Sequence, residues 1–341
     1  MKVTAGPSLK GLNSFGLAAT ANTLIEIESE EDVLALPGFD PDMDLVLGGG
    51  SNVVLLTDVP GNVFLNRIRG IDRVTENGDS VTVEVGAGEN WHETVLWSLD
   101  QGLSGLENLS LIPGSAGAAP IQNIGAYGVE LASVLESVTA WDWKAACWVT
   151  LSRDECQLAY RDSLFKSGDP DRYLITSLRL ALSRTFVPQI DYAGLHEEIE
   201  GAELKTEMTA RAVSDAVVRL RSRKLPDPGT TGNVGSFFKN PVLDREAAES
   251  IMTRHDGLPN WPQAEGRIKL SAAWMIQACG LKGLREGGAR VSEQHALVLV
   301  NEGGASGHDI TALTIEIQKS VFETFGVRLE PEPRLVEFSL G

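Results

Sequence analysis

The sequence is poor in cysteine and in positive charge. Its three cysteines, Cys147, Cys156 and Cys279, are an odd number and form no C-x-x-C pair. This excludes a disulfide framework and a cysteine-based zinc site, and it fits a reducing compartment. The 29 Lys and Arg residues against 47 Asp and Glu give a net charge of -18. An acidic surface argues against nucleic-acid and anionic-membrane partners, so basic residues must converge locally to bind any phosphate ligand.

Long hydrophobic runs are also missing. No apolar stretch approaches the roughly 20 residues that span a bilayer, and Met1 to Asn22 lack the apolar stretch of a secretory signal. We therefore expect a cytoplasmic protein that works as a monomer. The 43% hydrophobic and 22% charged residues are ordinary for a globular protein, and 341 residues suggest two or three domains.

Hydrophobic periodicity predicts an α+β fold with a glycine-rich first half and a more helical second half. Short apolar or alternating stretches predict five strands, at Asp44–Leu47, Val63–Leu65, Val81–Val85, Leu174–Leu182 and Ala296–Val300. Apolar residues at helical spacing predict three helices, at Asn90–Gln101, Glu207–Leu225 and His308–Phe325. No internal repeat or long linker interrupts this pattern.

A glycine-rich turn, Gly48–Asn52, follows the first of these strands. Glycine lets the backbone approach a ligand closely, and successive N–H groups in such a turn can bind an anion. The turn is therefore a candidate phosphate cradle, although a plain tight turn explains it equally well. Val53 stands where a dinucleotide-binding G-x-G-x-x-G motif needs its third glycine, and no Gly-Lys-Ser/Thr follows, so neither common nucleotide loop is indicated.

A second unusual segment, Ile112–Gly128, consists mostly of small residues and has almost no charge. Such a stretch fits a backbone pressed against a large planar or pyrophosphate ligand. A buried packing segment is the alternative interpretation. Tyr127 could then either stack on a ring of the ligand or fill the core.

Seven segments, taken in order, resemble the UDP-N-acetylenolpyruvoylglucosamine reductase family. They are Gly48–Asn52, Gly86–Trp91, Ile112–Gly128, Tyr160–Ser163, Lys224–Pro228, Gly235–Pro241 and Leu329–Arg334. The resemblance runs from about Asn13 to Arg334, and Asp191–Leu195 is similar to the tyrosine loop of one subtype of that family.

The resemblance implies an FAD-binding fold of the vanillyl-alcohol-oxidase (PCMH) type, made of two subdomains, plus a C-terminal α+β substrate-binding domain. We expect the FAD-binding region at 14–185, with subdomains at about 1–70 and 71–205. The substrate-binding domain would follow at 206–330, and a tail at 331–341 would carry a catalytic glutamate.

The resemblance further implies that the enzyme reduces the enolpyruvyl group of UDP-N-acetylenolpyruvoylglucosamine to UDP-N-acetylmuramate. NADPH would supply the electrons through FAD, in peptidoglycan synthesis, with no metal. Eleven residues would contact FAD: Gly48, Gly49, Gly50, Ser51, Asn52, Ser115, Gln122, Asn123, Gly125, Ala126 and Tyr127. Relatives often carry hydroxyl residues where this chain has Ala118 and Ala119, so these contacts should fall on backbone groups or on Ser115.

Reduction of an enol ether carboxylate needs a hydride and a proton, and no side chain supplies hydride, so a flavin must. In the resemblance Ser236 gives the proton, Arg161 stabilises the developing carboxylate charge, and Glu332 assists, either as a protonated donor or as a carboxylate ionised beside Arg334. Taken alone, each has a plainer explanation. Ser236 could cap a turn, Arg161 could pair with Asp162, and Glu332 could be an exposed acid.

Positive charge is also needed for the substrate diphosphate, and a basic cluster lies at Arg219, Arg221, Arg223 and Lys224. We select Lys224 because it opens the Lys-Leu-Pro-Asp-Pro motif. The predicted substrate-binding residues are Tyr160, Tyr192, Lys224, Asn240, Gln294 and Arg334.

Two other functions stay open at this point. One is an FAD-dependent oxidase of the same fold that acts on an alcohol or a sugar. The other is a non-catalytic protein that binds flavin or nucleotide.

Overall fold

A computed structural model describes residues 1–192, 194–201 and 208–338. Its mixture of helices and strands confirms the predicted α+β class. The described chain divides into two compact units. Unit 1 comprises 1–7, 21–50 and the described residues of 59–223. Unit 2 comprises 8–20, 51–58 and the described residues from 224 onward.

Among the described residues, every strand longer than five residues lies in unit 1. In chain order they are β1 (Lys2–Ala5), β2 (Ala21–Ile27), β3 (Leu45–Leu47), β4 (Val53–Leu55), β5 (Val59–Asn66), β6 (Ile71–Asn77), β7 (Ser80–Gly86), β8 (Gly125–Ala126), β9 (Val129–Glu130), β10 (Leu135–Asp142), β11 (Cys147–Ser152), β12 (Tyr173–Ser183), β13 (Gly232–Ser236), β14 (Val242–Leu243), β15 (Asn260–Pro262), β16 (Ile268–Leu270), β17 (Arg285–Glu286), β18 (Ala289–Val291), β19 (Val298–Asn301) and β20 (Arg334–Val336).

Several of the α-helices have clear sequence signals at their ends. They are α1 (Glu30–Leu34), α2 (Trp91–Asp100), α3 (Leu195–Gly201), α4 (Ala210–Lys224), α5 (Arg245–Arg254), α6 (Ala272–Ala278) and α7 (Gly307–Phe325). The Asn90 side chain caps α2 by accepting a hydrogen bond from the Glu93 N–H. At α7, Ser306 and Asp309 form a capping box and Gly326 ends the helix at φ 72°. Among the described residues, no helix combines the length and apolarity needed to cross a membrane.

Unit 1 contains two main sheets. The order β1-β2-β5-β3 is mixed, because β1 is antiparallel to β2 and the other pairs are parallel. The order β11-β10-β12-β7-β6 is antiparallel throughout. Alternate residues of β7 and β12 point into a large apolar core that also takes in the small-residue segment through Ala116 and Ala119. Helices α3 and α4 pack on each other around a separate small core.

Unit 2 is built around the antiparallel order β13-β19-β18-β17, a three-stranded sheet β14-β16-β15 and a parallel pair β20-β4. Its core lies between these strands and helices α6 and α7, and it includes Phe237 and Phe238 at the end of β13. The early segment 8–20 belongs here because the Ser14 Oγ donates to Asn233 O at 2.7 Å and the Asn301 Nδ2 donates to Phe15 O at 3.0 Å.

The predicted elements are confirmed with small changes of boundary. The five strands correspond to β3, β5, β7, β12 and β19, and the helix over Asn90–Gln101 is α2 with its two caps. The third predicted helix is α7. The helix over Glu207–Leu225 is α4, which begins at Ala210, while Glu207 lies outside the described residues.

Candidate active site

The glycine-rich turn of unit 1 lies directly on the small-residue segment. A Cβ added to Gly48 would lie 2.3 Å from the Ser115 Oγ, and one added to Gly49 would lie 2.7 Å from the Gly114 Cα. The Gly49 N–H donates to the Ser115 Oγ at 3.3 Å. Gly48 and Gly49 therefore lack side chains because protein atoms occupy that space, and the two segments form one surface.

The small-residue segment Ile112–Gly128 is also hydrogen-bonded to the Gly86–Trp91 motif. The Ala116 N–H donates to Glu89 O at 2.8 Å, and the Gly117 N–H donates to Ala87 O at 2.9 Å. A Cβ on Gly117 would lie 2.5 Å from the Ala87 Cβ. The packing interpretation of these glycines is thus correct for Gly117, whose small size lets the two backbones meet.

Backbone strain concentrates in and around this surface. Of the eight described non-glycine residues with positive φ, Asn123 and Tyr127 belong to it, Leu111 directly precedes it, and Arg161 contacts it through Gly125 O. Gly50, Gly114 and Gly128 also have positive φ. A left-handed conformation costs a non-glycine residue roughly 1–2 kcal/mol, and such residues cluster at functional sites.

Asn123 organises the predicted cofactor segment from within the protein. It is 1% exposed, and its Nδ2 donates to Glu130 Oε2 at 2.8 Å and to Ala159 O at 3.1 Å. Its Oδ1 accepts from the Ala132 N–H at 3.0 Å. The side chain is therefore committed to protein partners. The neighbouring Gln122 lies in a 3-10 turn, and Gly125 and Ala126 form β8.

Arg161 lies in a two-residue turn that the backbone closes on both sides. The Ala159 N–H donates to Asp162 O at 3.0 Å, and the Asp162 N–H donates to Ala159 O at 3.2 Å. Arg161 has φ 55°, and its Nη2 donates to Gly125 O at 2.8 Å. Its Cζ lies 5.3 Å from the centre of the Tyr160 ring, a cation–π geometry. The two predicted residues Tyr160 and Arg161 thus lie beside the predicted cofactor segment.

Tyr127 and Tyr192 come together in unit 1. Their rings meet edge to face with centroids 5.2 Å apart, and Tyr192 is 43% exposed. Burial raises the pKa of Tyr127, against the opposing charges of Arg221 and Arg223. Tyr192 also borders an open depression of about 300 Å³. In the segment similar to the tyrosine loop, Ala193 lies outside the described residues.

Ser236 and Glu332 lie on adjacent backbone segments of unit 2. The Glu332 N–H donates to Phe237 O at 2.8 Å, and Phe238 pairs with Pro331 in an antiparallel bridge. Gly235, with φ 73°, bends the chain immediately before Ser236. The next two residues are the buried Phe237 and Phe238, which hold the segment in the core. Both Ser236 and Glu332 remain half-buried.

Lys224, Gln294 and His295 lie in unit 2. Burial lowers the pKa of His295, and Lys224 and Lys282 lower it further through their charge. The His295 Nδ1 accepts from the Leu297 N–H at 3.2 Å, so this histidine caps a turn. The Gln294 N–H donates to the Ser292 Oγ at 3.2 Å in the same turn, which leads into β19 opposite Ser236.

The remaining predicted residues have structural partners in unit 2. The Asn240 Oδ1 accepts from the Ala272 N–H at 3.0 Å at the start of α6. The Arg334 N–H donates to Asn52 O at 2.9 Å, where β20 runs parallel to β4, and Ser51 precedes that strand. Ser51 and Asn52 thus belong to unit 2, whereas Gly48, Gly49 and Gly50 belong to unit 1.

The sequence alone did not reveal the roles of the buried Asn108 and the half-buried Glu198. Asn108, 1% exposed, donates to Tyr127 O at 2.8 Å and to Gln189 O at 2.7 Å. Glu198 of α3 binds Arg219 and Arg223 of α4. The i, i+4 spacing of the two arginines was visible in the sequence, but their acidic partner lies on another helix.

Proteins similar to this chain match it over nearly its whole length. A family profile described as UDP-N-acetylenolpyruvoylglucosamine reductase, C-terminal domain, matches residues 227–336, and one described as FAD binding domain matches 24–150. The UDP-N-acetylenolpyruvoylglucosamine reductase of Bordetella pertussis is 48% identical over 332 residues, 96% of this chain and 93% of the relative. That of Neisseria gonorrhoeae is 47% identical and covers 96% of both chains. The crystal structure of the Thermus caldophilus reductase matches with a TM-score of 0.69 at 25% identity, over 98% of both chains.

Proposed function

This chain belongs to the UDP-N-acetylenolpyruvoylglucosamine reductase family, and on that premise we propose which of its residues carry the reaction. The chain is an oxidoreductase that reduces UDP-N-acetylenolpyruvoylglucosamine for peptidoglycan synthesis, with FAD as cofactor and NADPH as reductant. The predicted FAD-binding fold with a C-terminal reductase domain is thereby confirmed. The division at 14–185, 206–330 and 331–341 is our proposal.

The residues of unit 1 fit FAD. The joined surface of Gly48–Gly50 and Ile112–Gly128 is nearly uncharged. Its strained backbone is typical of functional sites, where such strain is maintained. We assign FAD contacts to its backbone groups and to Ser115, together with Gln122, Ala126 and Tyr127. Ser51 and Asn52 complete the assigned set. Asn123 and Gly125 contribute by shaping the segment, since the Asn123 side chain and the Gly125 carbonyl bind protein groups.

Bound FAD would supply the hydride-transfer chemistry between NADPH and the enolpyruvyl group. Reduction places negative charge on the substrate carboxylate. We assign the stabilisation of that charge to Arg161. Its guanidinium is permanently charged and can fork onto a carboxylate in two bonds. The bond from its Nη2 to Gly125 O and the closed Ala159–Asp162 turn orient the side chain before substrate arrives. Such preorganised charge is the usual main source of transition-state stabilisation.

We propose that the Ser236 hydroxyl donates the proton to the substrate and that Glu332, on the adjacent segment, assists. The observation that supports this assignment is the backbone pairing of Phe237–Phe238 with Pro331–Glu332, because Ser236 and Glu332 then lie on neighbouring backbone segments of one unit. Phe237 is fully buried and Phe238 nearly so, so the pair is held on rigid core structure. An isolated alcohol is a weak acid and needs nearby charge, and we keep Glu332 as the assisting group, either as a protonated donor or as a carboxylate ionised beside Arg334.

Lys224 and Tyr192 are our choice for the substrate diphosphate, supported by Tyr160, Asn240, Gln294 and Arg334. The structure supports choosing Lys224 within the basic cluster, because Arg219 and Arg223 bind Glu198 and Arg221 Nε donates to Leu111 O at 3.2 Å. We further propose that the enzyme acts as a monomer in the cytoplasm, without nucleic-acid or membrane partners.

The test separates the two half-reactions in the holoenzyme. Stopped-flow absorbance follows flavin bleaching by NADPH, and the return of colour after UDP-N-acetylenolpyruvoylglucosamine is added. We expect Ser236→Ala to bleach at the wild-type rate but to recover colour at least about 100-fold more slowly, the usual contribution of a general acid. Ser250→Ala, at an exposed serine of α5, is the matched control and should match the wild type.

Other outcomes would reject parts of the proposal. If Ser236→Ala recovers colour as fast as the wild type, Ser236 is not the proton donor. If oxygen alone restores colour in the wild type and the sugar nucleotide has no effect, the chain is an oxidase. If the protein contains bound flavin that NADPH does not bleach, the chain is a non-catalytic flavin-binding protein.

A further inference from the structure

Tyr192 is presented by helix α3. The Leu195 N–H donates to Tyr192 O at 3.0 Å, so the tyrosine backbone is joined to the first turn of the helix. Leu195 is fully buried and Ile199 is 5% exposed, and both pack on the apolar face of α4. The position of Tyr192 therefore depends on how α3 is held against α4.

Glu198 is the polar connection between these helices. Its Oε1 accepts from Arg219 Nε at 2.8 Å, and its Oε2 accepts from Arg223 Nη2. The two arginines are four residues apart, so they lie on one face of α4 and close on both oxygens of a single carboxylate. The Glu198 side chain is only 12% exposed, whereas its partners Arg219 and Arg223 are 42% and 60% exposed.

The charges explain why the connection is stable. Arg223, and then Arg219, lower the pKa of Glu198 to about 2 by hydrogen bonding to its charged form. Glu198 thus stays ionised throughout the pH range in which enzymes of this kind are assayed. The short apolar face of α3 supplies only Leu195 and Ile199 to the α3–α4 core. Loss of the carboxylate charge would leave two guanidinium groups facing each other without a counter-charge.

We propose that Glu198 is a positioning residue that holds Tyr192 in place for the sugar nucleotide by fastening α3 to Arg219 and Arg223 of α4. This inference rests on the proposed function of Tyr192 as a substrate-binding residue. It gives a role to Arg219 and Arg223, which the sequence analysis placed in the basic cluster considered for the substrate diphosphate. In this proposal the two arginines bind Glu198, and this interaction orients Tyr192 for substrate binding.

The experiment compares Glu198→Gln with Glu200→Gln in the holoenzyme. Glu200 lies on the same helix but is 68% exposed and pairs with the exposed His196, so it is a matched control. For Glu198→Gln we expect KM for the sugar nucleotide to rise about tenfold with a smaller change in kcat, since uniform binding is lost rather than chemistry. The effect should be the same from pH 6 to pH 9, because Glu198 is ionised throughout. Glu200→Gln should keep both constants.

A double-mutant cycle asks whether Glu198 acts through Tyr192. In a Tyr192→Phe background the KM increase on Glu198→Gln should nearly vanish, because the positioned hydroxyl is already absent. An equal KM increase in both backgrounds would overturn the positioning role, as would no increase at all.

Hydrogen exchange gives a readout that needs no substrate. Amides of residues 195–201 should exchange about tenfold faster in Glu198→Gln than in the wild type or in Glu200→Gln. Unchanged exchange would refute the fastening of α3. If the wild type does not turn over the sugar nucleotide, the proposed function fails, while the exchange result still decides whether Glu198 holds α3.

Discussion

The contact between the glycine turn and Ser115 makes a sharp prediction about Gly48→Ala. The added Cβ would lie 2.3 Å from the Ser115 Oγ but 3.5 Å from its Cβ, an ordinary separation. The obstacle is therefore one oxygen atom. The φ of Gly48 lies outside the left-handed region, so alanine meets no backbone penalty there.

The magnitude follows from this single overlap. Overpacking of a well-packed site costs about 1–3 kcal/mol, so Gly48→Ala should lower the free energy of unfolding by that amount. Ser115→Ala removes the obstructing oxygen and loses only the 3.3 Å bond from the Gly49 N–H, at a cost of about 0.5–1 kcal/mol. The double variant Gly48→Ala/Ser115→Ala should then be about as stable as Ser115→Ala alone, with a coupling energy of about 1–3 kcal/mol, the whole cost of Gly48→Ala.

Urea unfolding of the holoprotein at saturating FAD, followed by circular dichroism, measures each free energy. Gly49→Ala is the informative companion, because its Cβ would meet the Gly114 Cα at 2.7 Å, and Ser115→Ala cannot relieve a clash with backbone. Gly38→Ala is the control, since nothing lies within 4 Å of the added Cβ.

Two results would refute the reasoning. One is additivity, in which Gly48→Ala costs the same with and without Ser115. The other is rescue of Gly49→Ala by Ser115→Ala, which would mean that the whole segment shifts and that no single atom decides the cost.

Two further predictions concern buried polar groups. Asn108→Leu leaves the carbonyls of Tyr127 and Gln189 without their donor, so the free energy of unfolding should fall by about 2–3 kcal/mol in urea titrations; an unchanged midpoint would contradict this. The lowered pKa of His295 means that the unfolded chain binds the extra proton, so stability should fall as pH drops through the unfolded pKa of 6.5. His295→Gln should flatten that dependence between pH 7.5 and pH 5.5, whereas the exposed control His308→Gln should not; equal slopes for wild type and His295→Gln would speak against it.

Local periodicity was enough to predict the longer elements. α2 and α7 have regular apolar spacing and clear caps, and β12 is an eleven-residue strand with a continuous buried stretch. The family motifs were also visible because they lie in short uninterrupted segments. Their roles in binding and catalysis stay predictions that the proposed experiments address.

The division of the chain into units was beyond the sequence. Segments 8–20 and 51–58 belong with residues from 224 onward, because their partners lie hundreds of positions away. Nothing in the local pattern of Ser51–Leu55 signals its pairing with β20. The same distance hid the role of Glu198, whose arginines lie 21 and 25 positions along the chain on a different helix.

The parallel pairing of β4 with β20 has a consequence for how the protein is made. The Phe338 N–H donates to the Thr57 Oγ1 at 2.8 Å across 281 positions, next to that pairing. During translation Val53 of β4 is synthesised long before its partner Arg334 of β20. The nascent chain must therefore carry β4 without its partner strand until β20 has been made, and unpaired strand edges make folding intermediates prone to aggregation. A ribosome that stops before residue 334 would release a chain whose second unit lacks this closing strand.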